Sequence, residues 1–381
     1  MTEKLYYRDA YIRNFDAEVL SAEATDKGYD VVLDKTAFFP EEGGQSSDTG
    51  YIGDSRVLRV YEEGGVVHHL TDGAPTLGRV ACRLDFDERY DKMQCHTAEH
   101  ILCGIIHRLW GYDNVGFHLG RDEVTFDIDA VLTREQLDEV EMLANRAVFD
   151  NIEITTEFPR NEELPSLEYR SKLELTEGVR LVRIGDVDTC ACCAPHVART
   201  GEIGLIKVLE FMKHRGGTRI WMVAGLRALA DYREKYGNVK RISAALCEPQ
   251  PTVADGVERM LESVQALRGE LKAARDALAL SEARSVEQTD GNLVRLLPDF
   301  SIDELRAFSN AAGGRVGGLL VALSGADGDY KYVISSQTRD LSRDIKDINS
   351  ALLGRGGGRG GMVQGSFSSD IESIRAYFEV K

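Results

Sequence analysis

Two short stretches of the sequence carry residue types that bind transition metals. His96 and His100 lie four residues apart. Cys192 and His196 repeat that spacing nearly a hundred residues later. Four residues make about one helical turn, so His96 and His100 would project from the same face of a helix. Neutral imidazole and thiolate are ligands that tetrahedral Zn²⁺ prefers, so the two stretches together predict a zinc site of three histidines and one cysteine.

The identity of the thiolate ligand stays open at this point, because Cys190 and Cys193 flank Cys192. Cys192 is favoured, since it has the four-residue spacing to the later histidine. The glutamate of a His-Glu-x-x-His peptidase helix is missing: position 97 is threonine, and Glu99 comes two residues too late. The motif therefore argues against a zinc peptidase.

The composition is that of a globular chain of 381 residues with a net charge of −17 at pH 7. This length predicts two or three domains. The negative charge argues against an indiscriminate nucleic-acid binder, although local basic patches can still contact RNA. No apolar run approaches the roughly 18 residues of a membrane span, and the N-terminus lacks the apolar segment of a secretion signal. We expect a cytoplasmic protein, with no membrane partner, whose cysteines are thiols or metal ligands.

The elements that must position these residues fall into four predicted regions. Residues 1–90 contain short β-branched runs between turns, which indicate a small antiparallel β-barrel or sandwich. Residues 91–225 mix helices and strands around the two ligand stretches. Residues 226–290 have helical periodicity and predict a long helical linker, and residues 291–381 show the pattern of a C-terminal α/β domain. The predicted fold class is therefore α+β.

Within the second region, residues 87–109 are predicted to form a helix that carries both early histidines and ends near Gly111. Residues 114–120 are flanked by glycines and predict a turn. Thr133, with Gln136 three residues later, predicts a capping box at the start of a second helix.

Two later segments each leave two interpretations open. In the linker, apolar residues fall seven apart, which is typical of a helical spacer or of a short dimerising coiled coil, and the spacer is favoured. Residues 354–366 are rich in glycine. As a loop they would expose backbone N–H groups beside Arg355 and Arg359 to a phosphate or an RNA backbone. A flexible loop without a ligand fits the composition equally well.

Several motifs, in the same order, resemble those of a known family. His96-Thr-Ala-Glu-His100, followed by Cys192-x-x-x-His196-Val-Ala-Arg-Thr-Gly-Glu-Ile-Gly204, resembles the editing domain of alanyl-tRNA synthetase and the free-standing AlaX editing proteins. Segments 38–50, 116–118 and 217–220 match further, and segment 354–366 resembles the end of the C-terminal domain that follows editing. Because 381 residues leave no room for the aminoacylation core of the synthetase, the resemblance is to the long form of AlaX.

The resemblance implies a trans-editing hydrolase that deacylates tRNA(Ala) mischarged with serine or, alternatively, glycine. Water would attack the aminoacyl ester at a site where His96, His100, Cys192 and His196 hold Zn²⁺. Four protein ligands make a closed site, so a catalytic and a structural role of zinc both stay open. The family usually has Cys-Gly-Gly-Thr-His, and this chain departs from it between Cys192 and His196.

The resemblance also implies roles for residues around the metal. Thr36 would sense the serine hydroxyl, whereas Gln45 and His118 would line the pocket or hold water. The C-terminal domain would either bind tRNA or form a homodimer together with the linker helix. The acceptor end of the tRNA would meet basic residues near the site, and the tRNA body would meet basic residues of the C-terminal domain. In that order, these basic residues are Lys213, Arg215 and Arg219, and then Arg355 and Arg359.

Three other functions stay open. The chain could be a non-catalytic zinc-containing tRNA-binding protein, which a closed zinc site would favour. It could be a metal-dependent hydrolase of small molecules, which would turn over free seryl esters as fast as the charged tRNA. It could also edit a threonyl or prolyl tRNA, and a panel of mischarged tRNAs would distinguish these substrates.

Overall fold

A computed structural model describes residues 1–120, 123–171 and 177–379 of the chain. The chain forms two compact units, Met1–Val239 and Lys240–Lys381. Both contain sheets and helices, which confirms the predicted α+β class. The predicted borders at residues 90, 225 and 290 stay predictions. Among the described residues, no helix is both long and apolar enough to span a membrane.

The first unit begins with a closed β-barrel. The strands of this region are β1 (Glu3–Lys4), β2 (Asn14–Thr25), β3 (Gly28–Leu33), β4 (Lys35–Thr36), β5 (Gly50–Ile52), β6 (Ser55–Glu63), β7 (Val66–Thr71) and β8 (Gly78–Leu84). The barrel order is β2, β3, β7, β6, β5, β8. Burial alternates along β7, as expected for a strand with one face inward, and this alternation turns Val67 and His69 into the interior.

Helix α1 (Phe86–Trp110) follows the barrel and carries both early histidines. Residues 92–106 are all buried, because α1 is surrounded by α2 (Arg134–Phe149) and by strands of two sheets. A helix buried on every side has no solvent face to show in its sequence. It ends at Gly111, whose left-handed φ of 71° confirms the predicted C-cap region. The capping box of Thr133 and Gln136 on α2 is also confirmed.

Two antiparallel sheets complete the first unit. Their elements are β9 (Asn114–Leu119), β10 (Val124–Ile128), β11 (Ile154–Glu157), β12 (Leu181–Ile184), β13 (Asp188–Ala191), β14 (Ile206–His214) and β15 (Gly217–Ala224), followed by helix α3 (Gly225–Leu246). One sheet has the order β14-β15-β10-β9 and the other β11-β12-β13. The prediction of a turn over residues 114–120 was wrong, because most of that segment is strand β9, paired with β10.

The second unit contains a five-stranded sheet and most of the helical linker. Its elements are α4 (Val253–Arg284), β16 (Leu293–Leu296), α5 (Ile302–Ala312), β17 (Leu320–Ala326), β18 (Asp329–Ser335), α6 (Asp344–Ala351), β19 (Gly354–Arg359), β20 (Met362–Phe367) and α7 (Ile371–Glu379). The sheet order is β16-β17-β18-β20-β19. Three of the apolar residues that fall seven apart on α4 are exposed, namely Val264, Leu271 and Leu278.

The glycine-rich segment is a β-hairpin, so the prediction of a loop there was wrong. β19 pairs with β20 from Gly354 opposite Phe367 to Arg359 opposite Met362. Glycine is required by close approach of the two backbones, since a Cβ at Gly356 would overlap the Gln364 carbonyl oxygen. β19 is the outer strand of the sheet order, and such an edge leaves one row of backbone N–H groups without a strand partner.

Candidate functional site

Four side chains from the two predicted ligand stretches meet beside α1, and we call His96, His100, Cys192 and His196 the His–Cys cluster. Each offers one ligand atom, and these atoms all lie within 4.8 Å of one another. The Cys192 sulfur lies 3.7 Å from His96 Nε2 and 3.4 Å from His196 Nε2. In a tetrahedral zinc site the sulfur and nitrogen ligands lie about 3.5 Å apart, from Zn–S of about 2.3 Å and Zn–N of about 2.0–2.1 Å. The donor set therefore fits one tetrahedral metal ion.

The cluster is assembled by one helical turn and one tight turn of the chain. α1 supplies the two early histidines from one face, and the segment after β13 supplies the other two ligands. Arg180 holds that segment, since its Nη1 donates to the carbonyl oxygens of Cys192 and Ala194, both at 2.9 Å. Buried donors and acceptors paired in this way fix the position of the Cys192 sulfur.

The early histidines are oriented by hydrogen bonds from outside the cluster. His96 Nδ1 lies 2.8 Å from Gln45 Oε1, and His100 Nδ1 lies 3.0 Å from Asp188 Oδ2. Amide and carboxylate oxygens only accept, so both Nδ1 atoms donate, and Nε2 is the ring nitrogen left to face a metal. Asp188 is itself held by Arg170, with Nε to Oδ1 at 2.7 Å. Such outer partners are the usual support of metal-binding histidines.

The third histidine, His196, also donates from Nδ1, in this case to the hydroxyl of Thr97. The Thr97 hydroxyl donates to Met93 O at 2.7 Å, so it accepts from His196 Nδ1 at 3.0 Å. Burial lowers the pKa of His196 to about 3, which keeps the ring neutral at physiological pH. The Nδ1 atom of each of the three histidines is thus engaged by the protein, which leaves Nε2 as the ring nitrogen that could bind a metal.

The environments of the three cysteines favour Cys192 as the thiolate. Burial raises the pKa of the Cys192 thiol, but the adjacent His96 and His196 outweigh burial and bring that pKa well below its usual range. Burial raises the pKa of Cys190 to about 11. Burial, with Cys192 alongside, also raises the pKa of Cys193 well above its usual range. Because the thiolate is the metal ligand, these pKa directions favour Cys192 over its two neighbours.

A cavity of about 380 Å³ lies against the cluster. This volume is in the range of small-molecule sites. Three of the four cluster residues line it, namely His96, His100 and Cys192. Its other walls include Tyr7, Glu42, Glu99, Asn114, Arg170 and Arg180.

Gln45 lies behind the cluster rather than in the cavity wall. The two preceding residues, Gly43 and Gly44, have φ angles of 63° and 86°, and a Cβ at Gly44 would overlap the Phe117 carbonyl oxygen. The close approach that these glycines allow brings Gln45 to His96. Gln45 is buried, and its Nε2 has no hydrogen-bond partner within the described residues. An unpaired buried amide is costly and so points to a missing partner.

The structure does not bring Thr36 or His118 into the described lining of the cavity. Thr36 is fully buried at the barrel, where its hydroxyl lies 2.9 Å from His69 Nε2. His118 is exposed on β9. Its neighbour Phe117 points the other way, as alternation along a strand requires, and its ring centroid lies 4.6 Å from that of His96.

The basic residues predicted to contact tRNA differ in whether they already form an ion pair within the protein. Lys213 and Arg215 are exposed at the hairpin between β14 and β15. Arg219 is engaged, because its guanidinium donates to both carboxylate oxygens of Asp127 at 2.7 and 2.8 Å. Arg355 and Arg359 are exposed on β19 in the second unit.

Several residues of the site were missed by the sequence analysis. Asp188, which orients His100, had a signal: Asp188, Cys190 and Cys192 alternate along β13 and its extension, so they share a face. Glu99 and Arg180 line the cavity and are buried, but a single charged residue in an apolar stretch does not reveal that.

Comparison with known proteins agrees with the motifs. Residues 179–221 match the family model described as "Threonyl and Alanyl tRNA synthetase second additional domain". The "Alanyl-tRNA editing protein AlaX-L" of Pyrococcus horikoshii is 26% identical over 408 aligned residues, which cover 100% of both chains. Alanine–tRNA ligases of Halorubrum lacusprofundi and Thermococcus kodakarensis are 35% and 32% identical. They match 87% and 100% of this chain, which spans only 38% and 43% of their length.

A solved structure, the C-Ala domain of Aquifex aeolicus alanyl-tRNA synthetase, matches 25% of this chain and 96% of its own at 20% identity. Its TM-score of 0.22 is too low to support a conclusion on the fold. The end-to-end match to AlaX-L and the family match across the second ligand stretch carry the assignment. Along its whole length the chain resembles the AlaX-type alanyl-tRNA editing proteins of the long form, and it is also similar to part of alanyl-tRNA synthetases.

Proposed function

We propose that this protein is a trans-editing aminoacyl-tRNA deacylase that hydrolyses the ester of tRNA(Ala) mischarged with serine or glycine. The observation that carries the proposal is that His96, His100 and Cys192 line a cavity. A metal that only held the fold together would need no cavity at its ligands, since structural zinc sites are closed. The lining therefore favours a hydrolase over a non-catalytic zinc-containing tRNA-binding protein.

The His–Cys cluster is proposed to hold Zn²⁺, because its donor types and spacing fit that ion. A zinc ion bound there would supply Lewis acidity or orient a substrate group. The protein's own contribution is to position the ester and a water molecule against each other. An aminoacyl ester is an activated acyl group, so positioning can suffice without a covalent nucleophile.

Gln45 is proposed to take part through its unused amide. Its Oε1 is committed to His96, whereas its Nε2 is buried and has no partner among the described residues. Leaving such a donor unpaired costs about 1–3 kcal/mol. A water molecule or a substrate oxygen that accepted from Nε2 would remove that cost and would be held next to the cluster.

Discrimination against correctly charged Ala-tRNA requires recognition of one hydroxyl. A site that hydrogen-bonds a substrate hydroxyl rejects the analogue lacking it by about 10⁴-fold or more. Thr36 is the candidate. His69 donates from Nδ1 to Val31 O, so its Nε2 accepts from the Thr36 hydroxyl. The Phe38 N–H donates to the same oxygen at 3.1 Å, which leaves one lone pair for a serine hydroxyl. Glycine would have to be selected by size instead.

For tRNA binding, Lys213 and Arg215 are the stronger candidates at the acceptor end, since Arg219 is already paired with Asp127. Arg355 and Arg359 are proposed to contact the tRNA body. Each phosphate contact would add salt dependence to binding. The exposed apolar residues of α4 support a second copy of the chain as a further partner, to be tested by sedimentation of Leu271→Glu.

The central test is His100→Ala. The variant should lose bound zinc, and its single-turnover hydrolysis of Ser-tRNA(Ala) should fall by at least about 100-fold, because a metal contributes several kcal/mol at the transition state. His107→Ala is the matched control, since this exposed histidine lies further along the same helix and pairs with Asp113. If hydrolysis persists after the metal is lost, zinc is not needed for the reaction.

Substrate class is tested with a panel of charged tRNAs and free esters. We expect hydrolysis of Ser-tRNA(Ala) and Gly-tRNA(Ala), with Ala-tRNA(Ala) spared. Faster hydrolysis of mischarged threonyl or prolyl tRNAs would show that those tRNAs, rather than tRNA(Ala), are the substrates. Equal turnover of free seryl esters would instead indicate a small-molecule hydrolase.

A further inference from the structure

The cavity beside the His–Cys cluster contains two buried charges of opposite sign, Glu99 and Arg180. Among the residues that the structure describes, Glu99 forms no ion pair with a lysine, arginine or histidine, and Arg180 forms none with a carboxylate. The other charged side chains of the lining are different: Arg170 is paired with Asp188, and three acidic residues are exposed, namely Glu42, Asp113 and Glu177. Buried charges in proteins are normally paired, so the two exceptions point to a ligand.

Glu99 lies on α1 directly before His100, and it is 3% exposed. Its Oε1 accepts from Asn114 Nδ2 and from the Cys103 thiol, the latter at 3.4 Å. The Gly116 N–H donates to Asn114 Oδ1 at 2.9 Å, which fixes the amide so that its NH₂ group faces Glu99. These donors suit a carboxylate but bring no positive charge. The carboxylate is thus held rigidly, and its charge is not neutralised by the part of the chain that is described.

Arg180 lies directly before β12, and it is 6% exposed. Its Nη1 is committed to the carbonyl oxygens of Cys192 and Ala194, which fixes the plane of the guanidinium. Its Nε is buried without a hydrogen-bond partner in the described residues. The guanidinium lies 5.5 Å from the centre of the Tyr7 ring, another residue of the cavity wall. A planar fork with unused donors matches a phosphate or a carboxylate.

We propose that this cavity binds a zwitterionic ligand, in which an ammonium group pairs with Glu99 and a phosphate pairs with Arg180. The inference rests on the proposed function, because an aminoacyl nucleotide at the 3′ end of a tRNA carries both groups. Its α-ammonium lies on one side of the ester, and its phosphate lies on the other. A free amino acid is also zwitterionic, but a cavity of about 380 Å³ is in the range of drug-sized ligands.

The two charges border the cluster from different elements. Glu99 precedes a ligand on α1, and Arg180 holds the turn that carries Cys192. An ester whose ammonium and phosphate were held at these two points would have its carbonyl between them, beside the cluster. Glu99 and Arg180 are therefore positioning residues, which bind the substrate without touching the bond that breaks.

The wild-type protein can be tested with three small esters of known charge. The reference is 3′-O-seryl-adenosine 5′-phosphate. The second ester lacks the 5′-phosphate, and the third carries glycerate in place of serine, so that a hydroxyl replaces the ammonium. Removing either group should lower kcat/KM by roughly tenfold to a hundredfold, the range for losing a hydrogen bond to a charged group. Equal kcat/KM for all three esters overturns the proposal.

Variants assign each charge to its residue. Arg180→Gln should abolish the preference for the phosphate-bearing ester, and Glu99→Gln should abolish the preference for serine over glycerate. Arg183→Gln on β12 and Glu88→Gln on α1 are matched controls, because both residues are exposed and lie outside the cavity lining. These controls should keep both preferences.

The preference is a ratio measured on one enzyme preparation, so a partial loss of folded protein or of metal cancels. This matters because Arg180 also holds the Cys192 turn. If Arg180→Gln or Glu99→Gln lowers the kcat/KM of every ester by the same factor, that residue has only a structural role and the proposed subsite is wrong.

Failure of the subsites can be told from failure of the deacylase. If the wild type hydrolyses Ser-tRNA(Ala) but treats the three esters alike, only the subsites fail. If it hydrolyses no ester, calorimetric binding of the non-hydrolysable 3′-seryl-amido-3′-deoxyadenosine 5′-phosphate still tests them, and Arg180→Gln should weaken that binding by the same tenfold to hundredfold. Free serine that binds as tightly as this amide would show that Arg180 takes a carboxylate, which overturns the phosphate assignment.

Discussion

The first unit buries one histidine in the barrel and three in the His–Cys cluster, and the two places differ in which ring nitrogens the protein hydrogen-bonds. In the barrel, His69 donates from Nδ1 to Val31 O at 3.0 Å and accepts at Nε2 from the Thr36 hydroxyl at 2.9 Å. Both ring nitrogens are satisfied by the protein itself. His69 is therefore a core residue that happens to be polar.

In the His–Cys cluster only one nitrogen of each histidine is used in this way. The Nδ1 atoms are hydrogen-bonded to Gln45, Asp188 and Thr97. The other ring nitrogens lie near the Cys192 sulfur, as possible metal ligands. Burial and hydrogen bonding are thus common to the core histidine and to the candidate ligands. What separates them is the nitrogen that the protein leaves unused, and the following predictions test that distinction.

The largest expected effect is on metal affinity, when each of the adjacent residues Cys192 and Cys193 is replaced by serine in turn. Cys192→Ser removes the thiolate, whereas Cys193→Ser removes a thiol that burial keeps protonated. Structural zinc sites of four ligands bind with about 10–16 kcal/mol, so one ligand is worth about 3 kcal/mol, or 100-fold in affinity. Competition with a chromophoric chelator at pH 7 should show this loss for Cys192→Ser and near wild-type affinity for Cys193→Ser. The reverse pattern would move the ligand to Cys193.

Because both ring nitrogens of His69 are hydrogen-bonded in the buried, neutral ring, the stability of the protein should depend on pH. Burial lowers the pKa of His69 to about 4, against about 6.5 in an unfolded chain. Between these values the unfolded chain binds a proton that the folded chain does not, so the free energy of unfolding falls as pH falls. The difference amounts to about 3 kcal/mol by pH 4.

Urea unfolding from pH 7 to pH 4 measures this contribution. His69→Gln cannot titrate and should lack it, whereas Thr36→Val retains the imidazole and should keep it. If wild type and His69→Gln share one pH dependence, then His69 is protonated in the folded barrel and its Nε2 does not accept a hydrogen bond from Thr36.

The four members of the His–Cys cluster could be chosen from the sequence because their spacing is local. One helical turn on α1 and one tight turn after β13 each fix a pair. The partners that orient them are not local. Asp188 reaches His100 across 88 residues and Gln45 reaches His96 across 51, through strand pairing and loop packing that no single-sequence pattern encodes.

Two segments were assigned the wrong secondary structure from the sequence, residues 114–120 and 354–366, and the first of these errors affected the description of the site. The turn predicted over residues 114–120 gave no expectation of alternating side chains there, so the sequence did not reveal that the ring of Phe117 would lie against His96. The glycines of 354–366 also hid a hairpin, since glycine has low strand propensity. There the pairing is supported from beneath by Tyr332, which stacks on Phe367 with ring centroids 4.0 Å apart.

A smaller effect should follow from removing the partner of one histidine in each group. Asp188→Asn weakens the acceptor of His100 Nδ1 and should lower metal affinity by about 10–100-fold, the usual range for an outer partner of a ligand. Thr36→Val removes the partner of His69 and should leave metal affinity unchanged. It should instead lower the free energy of unfolding by about 1–3 kcal/mol, because two buried groups lose their partner.

Chelator competition and urea unfolding on both variants complete this test, with Asp186→Asn as an exposed control beside β13. The two variants should separate cleanly, one in metal affinity and the other in stability. If Thr36→Val also loses metal, then the barrel histidine and the cluster are energetically one unit. In that case, satisfied ring nitrogens would no longer identify a histidine as core, and Thr36 would gain support as part of the editing pocket.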